Sequence, residues 1–424
     1  MRAKKFTAVI FVIMIASFMC YVLVTLAYEK ISGNSGEYAA KKSVLKIDWR
    51  KLYPFENPQI SGENHDMNSF IKKYFRKGSA AAISRNLTEL KLLVEAAKKY
   101  EQILGWNVVA AAEYNGVIKL SDGYLTNYVQ KFDMTHQAES IIAFSKFCES
   151  NGIDFCYVAT PGKVCRFDDA NISGVLDFSN QNQDEFLKML SDSDVKNYDL
   201  RENLHSDNLK HHESFYITDH HWKAETGLWA TRHILEFLRR DFSWNVDPDI
   251  LKPENFTFKI YPKYFLGSQG KKVTLAKTQP EDFTLITPNF ETRLHFEIPN
   301  LRINETGDFM ITCDMTQLER IDYYKLGAYR VYNRGRQPFA KIHNELLPNK
   351  TGKILMIKES YSSTIVPFLA LGVTDIDAID PRDFTGSIRT YIAKNKPDLV
   401  MVIYNPQMLD TTTTEYSANV FELR

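Results

Sequence analysis

The chain has no surplus charge. Its 424 residues carry 52 Lys+Arg and 52 Asp+Glu, a formal net charge of zero. A nucleic-acid partner calls for a basic excess or stripe, and none is visible, so no such partner is expected. Cysteine is sparse, at five residues, and no C-x-x-C pair occurs. A zinc ribbon or a thioredoxin-type centre therefore has nothing to be built from. There is no H-E-x-x-H. His211, His212, Asp219, His220 and His221 follow no recognised zinc spacing, so the expectation is no metal and no other cofactor. No internal repeat or low-complexity run is evident.

What is present is an ordinary globular composition, 44% apolar and 25% charged, enough for a sizeable core. The length predicts two or three domains, or one large domain with an insertion. Arg2, Lys4 and Lys5 precede an uncharged run from Phe6 to Tyr28. As a helix such a run spans a hydrocarbon core of about 30 Å. Thr25-Leu26-Ala27 is a poor cleavage site, so residues 1–30 read as a cytoplasmic tip and uncleaved signal anchor, with a cleaved signal as the alternative. The basic residues stay cytoplasmic, which places everything after about residue 30 outside, on a single-pass anchor in the cell membrane. Residues 31–65, with Ser-Gly-Asn-Ser-Gly, Pro54 and Pro58, read as a stalk. Cys20 falls in the span; Cys148, Cys156, Cys165 and Cys313 follow it and allow three pairings. Cys156, inside an apolar run, reads as a buried thiol.

Helix is expected over 66–103, a hairpin around Val117–Leu120, then helix over 134–150 and strand over 153–159. A helix over 183–191 and a long one over 221–241 follow. From 245 to 345 the texture becomes short alternating runs, which read as a β-rich insertion. Lys353–Ile357, Thr374–Ile379 and Leu399–Tyr404 are nearly continuous apolar runs, as in parallel strands covered on both faces. Strands alternating with helices imply a doubly wound parallel α/β sheet.

Catalytic groups of open α/β sheets gather at the carboxyl ends of strands. Ser360 stands just past the run 353–358, where a helix begins. There it faces the positive end of a dipole and backbone N–H groups that can hold an oxyanion. A serine nucleophile needs a base. The stretch SFYITDHHW, residues 214–222, supplies Asp219 and His221 two positions apart. A carboxylate at that spacing can orient the near ring nitrogen and leave the far one for serine. His220 is the alternative base. A helix cap is the plain alternative for Ser360 and for Asp219. Trp222 reads as packing; Arg382 as a substrate contact or a surface ion pair.

SFYITDHHW resembles the signature of the DHHW protein family, which is similar to SGNH-hydrolase-like proteins of alginate and exopolysaccharide O-acetylation. The resemblance runs through Tyr216, Asp219-His220-His221-Trp222 and Gly227. It continues in Phe265-Leu266-Gly267-Ser268-Gln269-Gly270-Lys271, Thr287–Thr292, Lys358-Glu359-Ser360-Tyr361, Val366–Leu369 and Ile379-Asp380-Pro381-Arg382. It implies an SGNH-like fold in two parts, 66–244 and 346–424, around the insertion 245–345. It also implies a triad of Asp219, His221 and Ser360, with Tyr216, His220, Trp222, Tyr361 and Arg382 in support or against substrate. No residue matches the oxyanion-supporting Asn of SGNH enzymes; Asn405, just past the run 399–404, is the candidate by its position. Relatives carry Asp before the serine, where this chain has Glu359, and Ser or Thr where it has Lys223. The implied function is O-acyl, chiefly O-acetyl, transfer to a polysaccharide acceptor through an acyl-enzyme. The acetyl group would come from a multi-pass membrane O-acyltransferase. Alternatives are a carbohydrate esterase, with water as acceptor, and a non-catalytic glycan-binding or assembly module on the same scaffold.

Overall fold

The computed structural model describes residues 117–120, 123–127, 129–167, 177–275, 277–347, 351–410 and 418–424. All lie in the compact unit Val94–Arg424. The anchor, the stalk and the helix expected over 66–103 fall outside the described residues. Among those described, no helix is long and apolar enough to cross a membrane.

β1 (Val117–Lys119) and β2 (Leu125–Asn127) form the antiparallel hairpin expected near Val117. Helix α1 (Thr135–Ser150) leads to β3 (Asp154–Ala159). Then come α2 (Ser179–Ser191), β4 (Asn197–Asp199), α3 (Leu200–Ser206) and α4 (Ala224–Asp241). The next segment holds β5 (Phe256–Phe265), α5 (Ser268–Val273), β6 (Glu281–Pro288), β7 (Leu294–Ile298), β8 (Ile303–Gly307) and β9 (Phe339–Asn344). The last elements are β10 (Lys353–Lys358), α6 (Ile365–Leu369), β11 (Asp375–Ile379), α7 (Ile388–Asn395) and β12 (Leu399–Tyr404).

The main sheet has the order β4-β3-β12-β10-β11-β9-β7-β8. The five strands from β4 to β11 are parallel; β9, β7 and β8 continue antiparallel. The sheet is therefore mixed, which corrects the expectation of an all-parallel one. Three strands between residues 294 and 344 bond into it, while β5 and β6 form a separate ribbon.

The strand period of two explains the layers. Ile354 and Met356 of β10, with Leu399, Met401 and Ile403 of β12, face a core shared with Leu228, Ile234, Leu235 and Leu238 of α4. Leu355 and Ile357, with Val400 and Val402, face a second core holding Ile141 and Phe144 of α1, Phe186 of α2 and Ile392 of α7. Each such side chain, fully buried, stabilises the fold by about 1.5–3 kcal/mol. Both faces are covered, so these strands show no polar alternation. The core also accounts for sulfur: Cys148, Cys156 and Cys313 are buried free thiols. Burial pushes Cys148 and Cys313 up to about 12.

Candidate active site

The site forms where β10 ends. Lys358, its last residue, pairs with Ile403 of β12, and Ile357 pairs with Ile379 of β11. Counting on from those pairs, Ser360, Asn405 and Arg382 leave three adjacent strands at the same level. Glu359 caps the 3-10 turn Ser360–Ser363, its carboxylate accepting from Tyr361 N at 3.0 Å. The cap is thus Glu359, and Ser360 is the first residue of the turn, only half buried.

The DHHW residues precede α4 rather than open it. Phe215 and Trp222 form an antiparallel bridge. Tyr216 N donates to His221 O at 3.2 Å and Lys223 N to Ser214 O at 2.9 Å, closing a tight loop. Inside it, Asp219 Oδ1 accepts from the backbone N of His221 at 3.1 Å and also from its Nδ1. With Nδ1 donating, His221 Nε2 is left to accept from Ser360 Oγ, 2.9 Å away. Asp219, His221 and Ser360 thus meet in one chain of hydrogen bonds, although 139 positions separate histidine from serine.

Burial alone would raise the Asp219 carboxyl. His221 and His220, with the Ser268 amide donating to Oδ2, outweigh it and hold the carboxyl well below the usual carboxylate range. Asp219 therefore stays ionised and can stabilise a positive imidazole beside it. His220 stacks against His221 at 3.8 Å, and its Nδ1 meets Ser268 Oγ at 2.9 Å. Burial, then His221, lowers its pKa. His220 does not contact Ser360; it flanks the base. Trp222 is fully buried and donates from Nε1 to the carbonyl of Tyr361 and to Thr364 Oγ1, both at 3.1 Å. Tyr361 donates its hydroxyl to the carbonyl of His220. Burial pushes that phenol well above its ordinary value, which keeps the proton on the donor.

The remaining candidates lie outside this chain of hydrogen bonds. Tyr216 packs edge-on against Phe265 in the core and makes no hydrogen bond through its hydroxyl. Arg382 forks onto Asp380, at 2.8 and 2.6 Å, so its guanidinium is spent on an internal ion pair. Asn405 Oδ1 caps the turn Pro406–Leu409 through Gln407 N at 2.8 Å.

Several supporting residues gave no sequence signal of their role. Glu281, on β6, accepts from the amides of Ile217 and Thr218, both at 2.7 Å, and from the Thr218 hydroxyl. Lys163 donates to the carbonyls of Leu125 and Ile217. Tyr329 lies parallel to the His221 ring at 4.0 Å. Ser268 and Gly267 lay in a recognised motif, but their contact with Asp219 depends on the fold.

The ligand atoms of Asp219, His220 and His221 lie within 4.8 Å of one another. Asp219 and His221 are hydrogen-bonded in series to Ser360, while His220 is held by Ser268. His211, expected nearby in sequence, binds instead to the carbonyls of Gly162 and Lys163, at 2.9 and 3.2 Å.

Residues 120–277 match the family described as SGNH hydrolase-like domain, acetyltransferase AlgX. Asp219 and His221 lie inside the matched segment and Ser360 beyond it. No curated protein matches the chain. Among solved structures, PatB1 of Bacillus cereus is similar at a TM-score of 0.57 and 19% identity, over 73% of this chain and 99% of that one. The same protein with a sulfonyl adduct aligns at 0.56 and 18% identity, over 71% and 98%. A DHHW family protein from Eubacterium siraeum aligns at 0.54 and 16%, over 73% and 95%. At these identities the solved structures show shared fold alone. The chain thus resembles the SGNH-hydrolase-like acetyltransferases, in sequence over 120–277 and in the fold of its described residues, as its DHHW stretch leads one to expect.

Proposed function

We propose that this chain is a membrane-anchored, extracytoplasmic O-acyltransferase that moves acetyl groups onto a polysaccharide. Ser360 Oγ attacks the carbonyl carbon of an acyl donor while His221 Nε2 takes its proton. Asp219 holds the ring in the tautomer that makes this possible. The tetrahedral oxyanion collapses, His221 returns the proton to the leaving group, and acetyl remains on Ser360 as an ester. A sugar hydroxyl, deprotonated by His221, then attacks that ester and regenerates the serine. The amide of Ser360, at the first position of its turn, has no partner within the turn and is one oxyanion donor in this scheme. Asn405, level with Ser360 just past β12, is the second through its Nδ2, its Oδ1 being held by Gln407 N. A multi-pass membrane acyltransferase supplies acetyl, and the anchor over 1–30 keeps the domain beside it.

The observation that carries this reading is the 2.9 Å approach of Ser360 Oγ to His221 Nε2, with Asp219 behind the ring. The sulfonyl adduct of PatB1 makes a sulfonyl fluoride the natural probe. The deciding experiment gives the purified protein an activated acetyl ester and an oligosaccharide acceptor, and compares wild type with Ser360→Ala. Wild type should yield acetylated acceptor in excess of free acetate, and the folded variant neither above background. Free acetate alone would assign an esterase; undiminished turnover by the variant would remove Ser360 as the nucleophile, and no turnover by wild type would leave a non-catalytic glycan-binding module.

A further inference from the structure

Tyr329 comes from the 245–345 segment, within the turn run Ala328–Arg334, far in sequence from both halves of the site. It is 6% exposed. Its ring lies over His221 at 4.0 Å and 20°. His220 also packs against that imidazole, at 3.8 Å and 37°. The Tyr329 hydroxyl donates to the carbonyl of Tyr361 at 2.9 Å. Tyr361 directly follows Ser360, so one side chain touches both the base and the peptide that carries the nucleophile.

We infer that Tyr329 is a positioning residue that sets the separation of Ser360 and His221. This inference rests on the proposed acyl transfer. An imidazole held at one edge by Asp219 can still tilt about that bond. A flat ring against its face, with the His220 ring packed on the same imidazole, limits the tilt. The phenol is anchored at its far end, because the Tyr361 carbonyl also receives Trp222 Nε1. Ring and carbonyl therefore move together, and the Ser360 turn moves with them. The ring face also presents negative electrostatic potential to the positive imidazole that forms during proton transfer. Both effects act in the transition state and not on substrate binding, so they belong in kcat and not in KM. A misplacement of about 1 Å at such a site can cost a factor of about 100.

The test compares wild type, Tyr329→Phe and Tyr329→Leu, with Ser360→Ala as blank. Initial rates on an activated acetyl ester are measured together with crystal structures. Tyr329→Leu, which loses the ring face, should lower kcat by about 30-fold with KM within twofold, and Ser360 Oγ should stand beyond 3.5 Å from His221 Nε2. Tyr329→Phe keeps the face and should recover most of the rate, retaining a loss of about three- to fivefold. If Tyr329→Leu does not fold, Tyr329→Phe decides alone. A kcat within twofold of wild type in every variant that folds overturns the inference, as does a loss confined to KM. Should wild type itself prove inactive, acyl transfer fails and the structures still decide. An unchanged separation in Tyr329→Leu, or in Tyr329→Phe when it alone folds, then refutes the positioning role, and a lengthened one supports it.

Discussion

Gly267 lies so close to Asp219 that a Cβ on the glycine would stand 2.2 Å from the Cβ of the aspartate and 2.5 Å from the carbonyl oxygen of Thr218. The glycine is what lets the Ser268 amide reach the Asp219 carboxylate. Backbone cannot yield as a flexible side chain can. Gly267→Ala should therefore displace the DHHW loop, destabilise the fold by about 1–3 kcal/mol and lower activity at least tenfold. Thermal denaturation and reporter-ester rates check both effects. A wild-type melting temperature would show that the contact is not rigid.

Asp219→Asn tests the ionised carboxylate apart from its shape. The amide keeps the volume but presents the wrong donor pattern to His221 Nδ1. By analogy with other serine triads, kcat should fall by about three to four orders of magnitude, with little change in KM. Stopped-time assays at high enzyme concentration measure the residue. A loss below tenfold would remove Asp219 from the mechanism.

Asp380 holds two buried cations, Arg382 at 2.6 Å and Lys358 at 3.9 Å. Burial raises its carboxyl, but the Arg382 fork and Lys358 prevail and hold it below the ordinary value; Asp219 is depressed likewise. For both, the folded value lies below the unfolded one. Each therefore contributes stability that is complete above the unfolded range near pH 4 and is lost as pH falls through the folded value. Asp380→Asn strands the cations and should cost about 3–5 kcal/mol at pH 7. It should also lose less than wild type between pH 5 and 3. Urea titrations at three pH values give both quantities; parallel pH curves for the two proteins would count against the ion pair.

Chelation bears on the Asp219, His220 and His221 cluster. A hydrogen-bonded relay needs no ion, so EDTA followed by desalting should leave reporter-ester rates within twofold of the untreated enzyme. A loss restored by added zinc would make the cluster a metal site.

Much of this molecule is legible before folding. Lys353–Lys358 and Leu399–Tyr404 announce themselves as doubly covered strands because Ile354–Ile357 and Leu399–Ile403 are apolar without a break. Ser360 is conspicuous because it follows one of them. What stays hidden depends on distant partners. Phe296 and Ile342 alternate with polar residues, as any half-exposed strand does. Only hydrogen bonding to β11 and β7 decides that β9 extends the main sheet. The helix expected from 221 starts at Ala224, because the Phe215–Trp222 bridge bends the chain first. Tyr329 has no periodic context at all, and its place over His221 is a tertiary fact.

The most direct measurement is peptide mapping by mass spectrometry after treatment with a sulfonyl fluoride or a fluorophosphonate. The account predicts one adduct, on the peptide containing Ser360, absent from Ser360→Ala and formed at least 100-fold more slowly in His221→Ala. An adduct on another residue, or labelling of Ser360 that proceeds as fast without His221, would contradict it.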